Sequence, residues 1–185
     1  MIFSPVDGIA GAWVLDPEPQ VDDRGSFSRT YDRGAWIAHG LDTTLDHIAT
    51  SSNVHTGTLR GLHLQSAPHG EAKTVRCTRG RVFDVMVDAR IGTEGFGRWA
   101  GFELDVAGGR SLHLPVGVAH GFITREANSE LTYLISAAYE PAATGGFRWD
   151  DPDLAIAWPL APEHLSARDQ HLPGLADWAA AQEHR

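Results

Sequence analysis

The stretch GRSLHLPVGVAHG, residues 109–121, contains the turn that best indicates the fold of this chain. Five residues separate Gly109 from Pro115, and Gly117 and His120 follow shortly afterwards. Glycine tolerates positive φ and proline fixes φ, so residues at this spacing demand particular backbone turns. The spacing therefore predicts two short strands joined by a tight turn, with His120 facing inward from the second strand.

A second stretch, TLRGLHLQ at residues 58–65, carries a related but incomplete pattern. Gly57 precedes it, and five residues separate that glycine from His63. Side chains alternate between the two faces of a strand, so Arg60 and His63 would point to opposite faces unless a bulge at Gly61 re-aims them. Together the two stretches resemble the paired motifs of the cupin jelly roll, a small β-barrel.

Short alternating runs recur along the chain, and Gly, Pro and Asp separate them. The runs that indicate strands are TLRGLHLQ, AKTVRCT, RVFDVMVDA, WAGFELDV, RSLHLPV, GFITR and ELTYLISA. Their spacing predicts an all-β fold, a cupin-type jelly-roll barrel or sandwich with short helices at 31–40, 162–170 and 175–185. The sequence shows no internal repeat, and we expect residues 1–185 to form a single jelly-roll domain.

The composition restricts the partners that we expect. Lys and Arg number 15 against 24 Asp and Glu, which gives a formal net charge of -9. Nucleic-acid binding needs clustered cations, so nucleic acid is not an expected partner. The sequence shows neither a signal peptide nor an apolar span of about 20 residues, so we expect a cytoplasmic protein without membrane contact. The single cysteine, Cys77, excludes an internal disulfide and is expected to be a buried, inert thiol.

The metal ligands of a cupin are incomplete here. Gln65 stands where the first cupin motif has its second histidine, and glutamine is a poor ligand for transition metals. Glu71 stands further along the chain than the cupin pattern requires. We therefore expect no metal and no cofactor, which leaves His63 and His120 available as acid–base groups.

Several other ionisable residues are expected to be structural. Asp84 and Asp88 share one face of a predicted strand, and we expect buried carboxylates with an arginine partner. The candidate partners are Arg60, Arg76 and Arg90. The histidines expected at the surface or at caps are His39, His47, His55, His69, His164 and His171.

If both motif stretches face one interior, that interior collects cations and acid–base groups. Its members would be Arg60, His63, Lys73, His120 and Tyr133. Arginine can bind phosphate oxygens in a bidentate manner. A histidine can remove a proton at neutral pH, a tyrosine can return one and a lysine can stabilise an enolate. These groups predict proton abstraction next to a carbonyl on a phosphorylated substrate, with Asp169 orienting His63.

Seven stretches, in order along almost the whole chain, resemble the dTDP-4-dehydrorhamnose 3,5-epimerase family. They are DDRGSFSRTYD (22–32), TLRGLHLQ (58–65), KTVRCTRGRVFDVMVDAR (73–90), LPVGVAHGF (114–122), LTYLISAAYEP (131–141), FRWDDPDLAIAWP (147–159) and LSARDQ (165–170). The resemblance implies a metal-free jelly-roll homodimer. It also implies a nucleotide-linked 4-keto-6-deoxyhexose as substrate, in deoxysugar biosynthesis.

The same resemblance implies roles for particular residues. His63 is similar to the general base of the family, Asp169 to its aspartate partner and Tyr133 to the acid that reprotonates the opposite face. Lys73 is similar to the group near the developing enolate. The implied substrate-binding residues are Arg24 and Arg60 for the diphosphate, Phe27 and Tyr139 for the sugar nucleotide, and His120 for the sugar pocket.

The nucleotide side of the pattern departs from the family. Arg29 stands where the family usually has a glutamate, and a reversed charge there would alter recognition of the base or ribose. Ile48 and Thr50 stand where a glutamine and an asparagine usually face the nucleotide. A different nucleotide, a different 4-keto sugar and inversion at a single carbon all remain open.

Two other functions share these features. One is another isomerase on the same scaffold, such as a 4-keto sugar ketoisomerase, which would move the carbonyl without inverting C5. A non-catalytic domain that binds a sugar nucleotide would keep the pocket. Binding alone needs neither a base nor an acid, so the presence of both His63 and Tyr133 favours an enzyme.

Overall fold

The computed structural model describes residues 1–183 and consists of two β-sheets packed face to face. The strands are β1 (Ile2–Pro5), β2 (Trp13–Asp16), β3 (Gln20–Asp22), β4 (Gly25–Phe27), β5 (His47–Asn53), β6 (Leu59–Gln65), β7 (Lys73–Arg79), β8 (Arg81–Asp88), β9 (Trp99–Asp105), β10 (Ser111–Leu114), β11 (Val118–Thr124), β12 (Ser129–Ile135) and β13 (Thr144–Gly146). The helices are α1 (Arg33–Ala38), α2 (Ala167–Gln170) and α3 (Leu175–Glu183). The predicted fold class, mostly β with short helices, is confirmed.

Neighbouring strands in both sheets run antiparallel. Six strands form one sheet in the order β1-β2-β10-β7-β12-β5, and five form the other in the order β13-β6-β11-β8-β9. The strands β3 and β4 form a separate hairpin outside both sheets. All seven runs predicted as strands lie in the two large sheets.

The core lies between the sheets because every second side chain of a strand faces inward. Val75 and Leu131 are fully buried on the inner side of the six-stranded sheet, and Met86 and Phe122 meet them from the five-stranded sheet. Cys77 is also fully buried, and burial raises the pKa of its thiol to about 11. The prediction of a buried cysteine is confirmed.

A β-bulge in β6 decides which side chains reach the space between the sheets. His63 lies opposite His120 of β11, and Arg60 lies opposite Phe122. These two pairs are three residues apart in β6 but only two residues apart in β11. One extra residue of β6 is therefore accommodated at Gly61, whose φ is +144°. A Cβ at that position would lie 2.6 Å from the Cα of Gly121. The bulge turns Arg60 and His63 toward one cavity, as the sequence allowed.

The helices are shorter than predicted. α1 lies within the predicted segment 31–40, and the Asp32 carboxylate caps it by accepting a hydrogen bond from Ala35 N at 3.1 Å. α3 begins at Leu175 as predicted for 175–185, and the last two residues of that segment lie outside the described residues. None of the helices in the described part of the chain is both long and apolar enough to cross a membrane.

The helix predicted at 162–170 is helical only in its last four residues, which form α2. Its first half is extended instead, because the backbone N–H groups of residues 163–164 donate to Gly57 O just before β6. The Ser166 hydroxyl caps α2 by accepting a hydrogen bond from Asp169 N at 3.1 Å. The hydrogen bonds to Gly57 and the Ser166 cap together hold Asp169 beside β6.

Candidate active site

A cavity of about 340 Å³ opens between the two sheets at the bulge of β6. The predicted site residues that line it are Arg60, His63, Lys73, His120, Tyr133 and Tyr139. Asp169 is hydrogen-bonded to His63 at its edge. The structure therefore brings the predicted base and acid together with Arg60, one of the two predicted diphosphate-binding residues.

His63 and Asp169 form a dyad in which Nε2 of the histidine lies 2.6 Å from Oδ1 of the aspartate. Burial by itself raises the pKa of Asp169, but the hydrogen bond and charge of His63, with the Gly61 N–H, lower it below its usual value. The ionised carboxylate holds the imidazole proton on Nε2 and leaves Nδ1 as the basic nitrogen. The dyad has the form of a general base with an orienting carboxylate.

His120 belongs to a second, more deeply buried dyad. Its Nε2 lies 2.8 Å from Oδ2 of Asp84, and burial raises the pKa of this carboxyl while the charge of His120 opposes the rise. Within residues 1–183 the other oxygen, Oδ1, has no hydrogen-bond partner. The predicted arginine partner of Asp84 was wrong, because Asp84 faces the interior where His120 lies. Asp88 does pair with an arginine, Arg90, at 2.5 Å.

Tyr133 faces these histidines from the other sheet. Its ring lies 5.7 Å from the ring of His120 at an interplanar angle of 81°. Burial and the charge of Asp84 raise the pKa of the Tyr133 phenol, and Arg60 only partly opposes them. The phenol therefore keeps its proton at neutral pH and can donate it. His63 lies on β6 and Tyr133 on β12, so a base and an acid face the cavity from opposite walls.

The cations of the cavity differ in their partners. Lys73 Nζ lies 2.7 Å from Oε1 of Glu71, and both side chains line the cavity. Arg60 Nε donates instead to the neutral Oδ1 of Asn53 at 2.9 Å. Arg168 also lines the cavity, and no carboxylate among the described residues pairs with it. Two cations therefore remain available for an anionic group.

Gln65 supports the cavity wall and does not resemble a metal ligand. Its Oε1 accepts a hydrogen bond from Glu140 N at 2.6 Å, and its Nε2 donates to the Ala138 and His69 carbonyls at 3.1 and 3.0 Å. These bonds fix the segment that carries Tyr139. Within residues 1–183 no group of three or more His, Cys, Asp or Glu side chains is placed to hold a metal.

Three predicted substrate-binding residues lie outside the cavity of their own chain. Arg24 forms an ion pair with Asp22 at 2.6 Å in the β3–β4 hairpin. Phe27 is 71% exposed, and Arg29 lies 3.1 Å from Asp32. The structure does not bring this hairpin to the groups that line the cavity.

Several residues that line the cavity were not predicted from the sequence. His47 was expected at the surface, and its side chain is 38% exposed, but it also lines the cavity at the start of β5 and lies 2.8 Å from Asp46. Glu71 was considered only as a metal ligand, but it also lines the cavity. Arg168 was overlooked although it directly precedes Asp169 in the chain. The stretch HIATSSN has few large apolar residues, so it gave no clear strand signal.

A base and a protonated phenol on facing walls of a β-sandwich cavity are the features of an isomerase that moves a proton. The family model described as dTDP-4-dehydrorhamnose 3,5-epimerase matches residues 7–177, and the chain belongs to this family. The resemblance drawn from the sequence and the enzyme class, an isomerase, are both confirmed.

Individual relatives match this chain in sequence over most of their length. The chain is 38% identical to a dTDP-4-dehydrorhamnose 3,5-epimerase of Sinorhizobium fredii, over 91% of this chain and 87% of the relative. It is 42% identical to a dTDP-4-dehydrorhamnose 3-epimerase of Streptomyces niveus, over 92% and 82%. A solved 4-keto-6-deoxy sugar epimerase from the novobiocin gene cluster of Streptomyces spheroides superimposes with a TM-score of 0.92 at 40% identity, covering 98% of this chain and 90% of that one. The predicted cupin-like jelly roll is confirmed by these neighbours.

Proposed function

We propose that the protein epimerises a nucleotide diphosphate-linked 4-keto-6-deoxyhexose at one or both of the carbons that flank the ketone. The position of His63 and Tyr133 on facing walls of one cavity is the observation that carries the proposal. Inversion of a carbon needs a base on one face of the sugar ring and an acid on the other. The names of the relatives, which include 3,5-epimerases and 3-epimerases, support the same reaction.

At each carbon that is inverted, one proton is removed from one face of the sugar and another is added to the opposite face. His63 Nδ1 takes the proton next to the ketone, and the electrons of the broken C–H bond form an enolate. Asp169 stabilises the imidazolium, and Lys73 donates a hydrogen bond to the enolate oxygen. Tyr133 then gives its proton to the opposite face of the carbon. Exchange with solvent restores the phenol and the neutral imidazole.

The strand register orients the substrate along the cavity. Arg60 is hydrogen-bonded to Asn53, which pairs with the first residue of β12. Lys73 pairs with Ile135, the last residue of β12, so Arg60 and Lys73 lie toward opposite ends of this strand. We place the diphosphate at Arg60 and Arg168, because cations without carboxylate partners suit phosphate oxygens. The sugar then extends from its phosphate-bearing carbon toward Lys73 and passes between His63 and Tyr133.

The exposed hairpin favours a homodimer. Phe27 and Val21 are 71% and 74% exposed, and Arg24 extends from the same hairpin. A second copy could cover these apolar side chains and bring Arg24 and Phe27 to the cavity of its neighbour. The test is to mix Arg24→Ala with His63→Asn protein after unfolding and refolding them together. A dimer that shares the hairpin should regain about a quarter of the wild-type activity, and the mixture would stay inactive if each chain used its own hairpin.

The function is tested by proton NMR of dTDP-4-dehydro-6-deoxyglucose with the wild-type protein in D2O. Deuterium at C3 and C5 with inversion at both would establish a 3,5-epimerase, and deuterium at C3 alone a 3-epimerase. Movement of the carbonyl without inversion would establish a ketoisomerase instead. Binding without exchange would leave a sugar-nucleotide-binding domain. The cytoplasmic location and the lack of nucleic-acid binding stay predictions from the sequence.

A further inference from the structure

The ion pair between Glu71 and Lys73 is unusual because it forms part of the cavity wall. The two side chains are only 9% and 12% exposed, yet both line the cavity. Bringing a carboxylate to this wall costs desolvation free energy, which the attraction to Lys73 offsets in part. The mechanism uses the ammonium of Lys73 and gives no role to the carboxylate of Glu71.

The carboxylate has acceptor capacity that the protein does not use. Its Oε1 faces Lys73 Nζ at 2.7 Å, and no other hydrogen-bond donor to Glu71 is found among residues 1–183. An ionised carboxylate can accept about four hydrogen bonds in all. The remaining acceptor sites are therefore open to a donor that enters the cavity.

A donor and an acceptor lie side by side at this end of the cavity. The ammonium can donate to a ketone oxygen, and the carboxylate can accept from a hydroxyl on the neighbouring carbon. An α-hydroxyketone presents that pair of groups, an acceptor and a donor on adjacent carbons. In the orientation proposed above, the ketone carbon C4 lies across the sugar ring from the phosphate-bearing C1 and close to Lys73, and C3 is the neighbour of C4 that carries a hydroxyl.

We propose that Glu71 is a specificity-determining residue that accepts a hydrogen bond from the hydroxyl next to the ketone. This inference rests on the proposed function and adds a substrate requirement to it, an α-hydroxyketone edge with its hydroxyl on C3. A sugar that lacks this hydroxyl leaves the remaining acceptor sites of the buried Glu71 carboxylate unfilled and is bound less well. A sugar with an anionic group at C3 would be repelled by Glu71.

The test compares two substrates, the 4-keto-6-deoxy sugar nucleotide and its 3-deoxy analogue, by the rate of deuterium exchange next to the ketone. The Glu71→Leu variant removes the acceptor, and Glu71→Gln keeps a neutral one in the same shape. We expect Glu71→Leu to lower kcat/KM for the hydroxylated sugar by about 10- to 100-fold, mostly through KM. Exchange on the 3-deoxy analogue should change by less than about threefold, and Glu71→Gln should lie between wild type and Glu71→Leu on the hydroxylated sugar.

Two matched variants separate this role from the alternatives. Lys73→Met should lower exchange on both sugars, because both contain the ketone. Glu103→Gln removes a surface carboxylate paired with Arg125 and should leave both rates unchanged. Equal losses for Glu71→Leu on the two sugars would overturn the inference and assign Glu71 to positioning Lys73. Unchanged rates on both would overturn it as well. If wild type exchanged neither sugar, the proposed function would fall first, and this inference with it.

Discussion

His63 Nε2 and Asp169 Oδ1 lie 2.6 Å apart although 106 residues separate them in the chain. The contact exists because the segment before α2 is attached to the backbone just before β6, and because the bulge at Gly61 turns His63 inward. The same bulge turns Arg60 toward the cavity. One irregularity in a strand therefore positions both the proposed base and a proposed phosphate ligand.

Replacing Asp169 with asparagine tests the dyad. The Asp169→Asn variant keeps the shape but removes the charge that stabilises the imidazolium, so we expect kcat to fall by about 100- to 1000-fold with a small change in KM. Steady-state kinetics of the epimerisation measures both constants. Asp150→Asn, which removes an exposed carboxylate paired with Arg148, is the control and should match wild type. A fall of less than twofold for Asp169→Asn would contradict the assigned role.

Replacing Gly61 with alanine tests the bulge. The new Cβ would lie 2.6 Å from Gly121 Cα, and φ at this position is +144°. We expect the free energy of unfolding in urea to fall by about 2–4 kcal/mol, since backbone must move to relieve the contact. At Gly40 φ is +72° and a Cβ would meet nothing within 4 Å, so Gly40→Ala should cost only about 1 kcal/mol. Equal costs for the two variants would show that the close approach to Gly121 has no effect.

Replacing Gln65 with leucine tests the support of the cavity wall. The Gln65→Leu variant leaves the N–H of Glu140 and the carbonyl of Ala138 without their partners, which loosens the segment that carries Tyr139. We expect KM for the sugar nucleotide to rise by about tenfold while kcat changes less. Gln182→Leu on α3 is a remote control. An unchanged KM would mean that this segment does not contact the substrate.

His113 predicts a pH dependence of stability. It is buried beside Thr74 and Trp36, and burial lowers its pKa from 6.5 to about 4. His113 therefore binds a proton more readily in the unfolded chain than in the folded one. Its contribution to the free energy of unfolding is fully present above pH 6.5 and is lost as the pH falls toward 4. The full effect is roughly 3 kcal/mol.

Urea unfolding of wild type and His113→Gln at pH 7 and pH 4.5 measures this dependence. The difference between the two pH values should be smaller in the variant, and His69→Gln, at an exposed histidine, should behave as wild type. The same pH dependence in His113→Gln and wild type would assign the acid sensitivity to other groups.

The sequence predicted the elements that local rules control. Gly109, Pro115 and Gly117 fix a turn by their own backbone preferences, and alternation identifies strands that bury one face. His63 and His120 were found because both lie in those patterned strands. Such features depend on neighbours in the chain, and the structure confirms them.

Features that depend on distant contacts were harder to predict. Asp84 and His120 meet across neighbouring strands, so the partner of Asp84 was not visible in its own strand. His47 escaped notice because the edge strand β5 is polar and barely alternates in hydrophobicity. The extended course of residues 162–165 depends on Gly57, about a hundred positions earlier, and no local propensity encodes it.

The assignment of His63 as the base and Tyr133 as the acid can be tested by one proton NMR measurement in D2O. Exchange next to the ketone and formation of the inverted sugar are followed together for wild type, His63→Asn and Tyr133→Phe. A base on one wall and an acid on the other predict that His63→Asn loses both, whereas Tyr133→Phe still exchanges the proton but forms little inverted product. Exchange at the wild-type rate in His63→Asn, or inversion at the wild-type rate in Tyr133→Phe, would contradict the assignment.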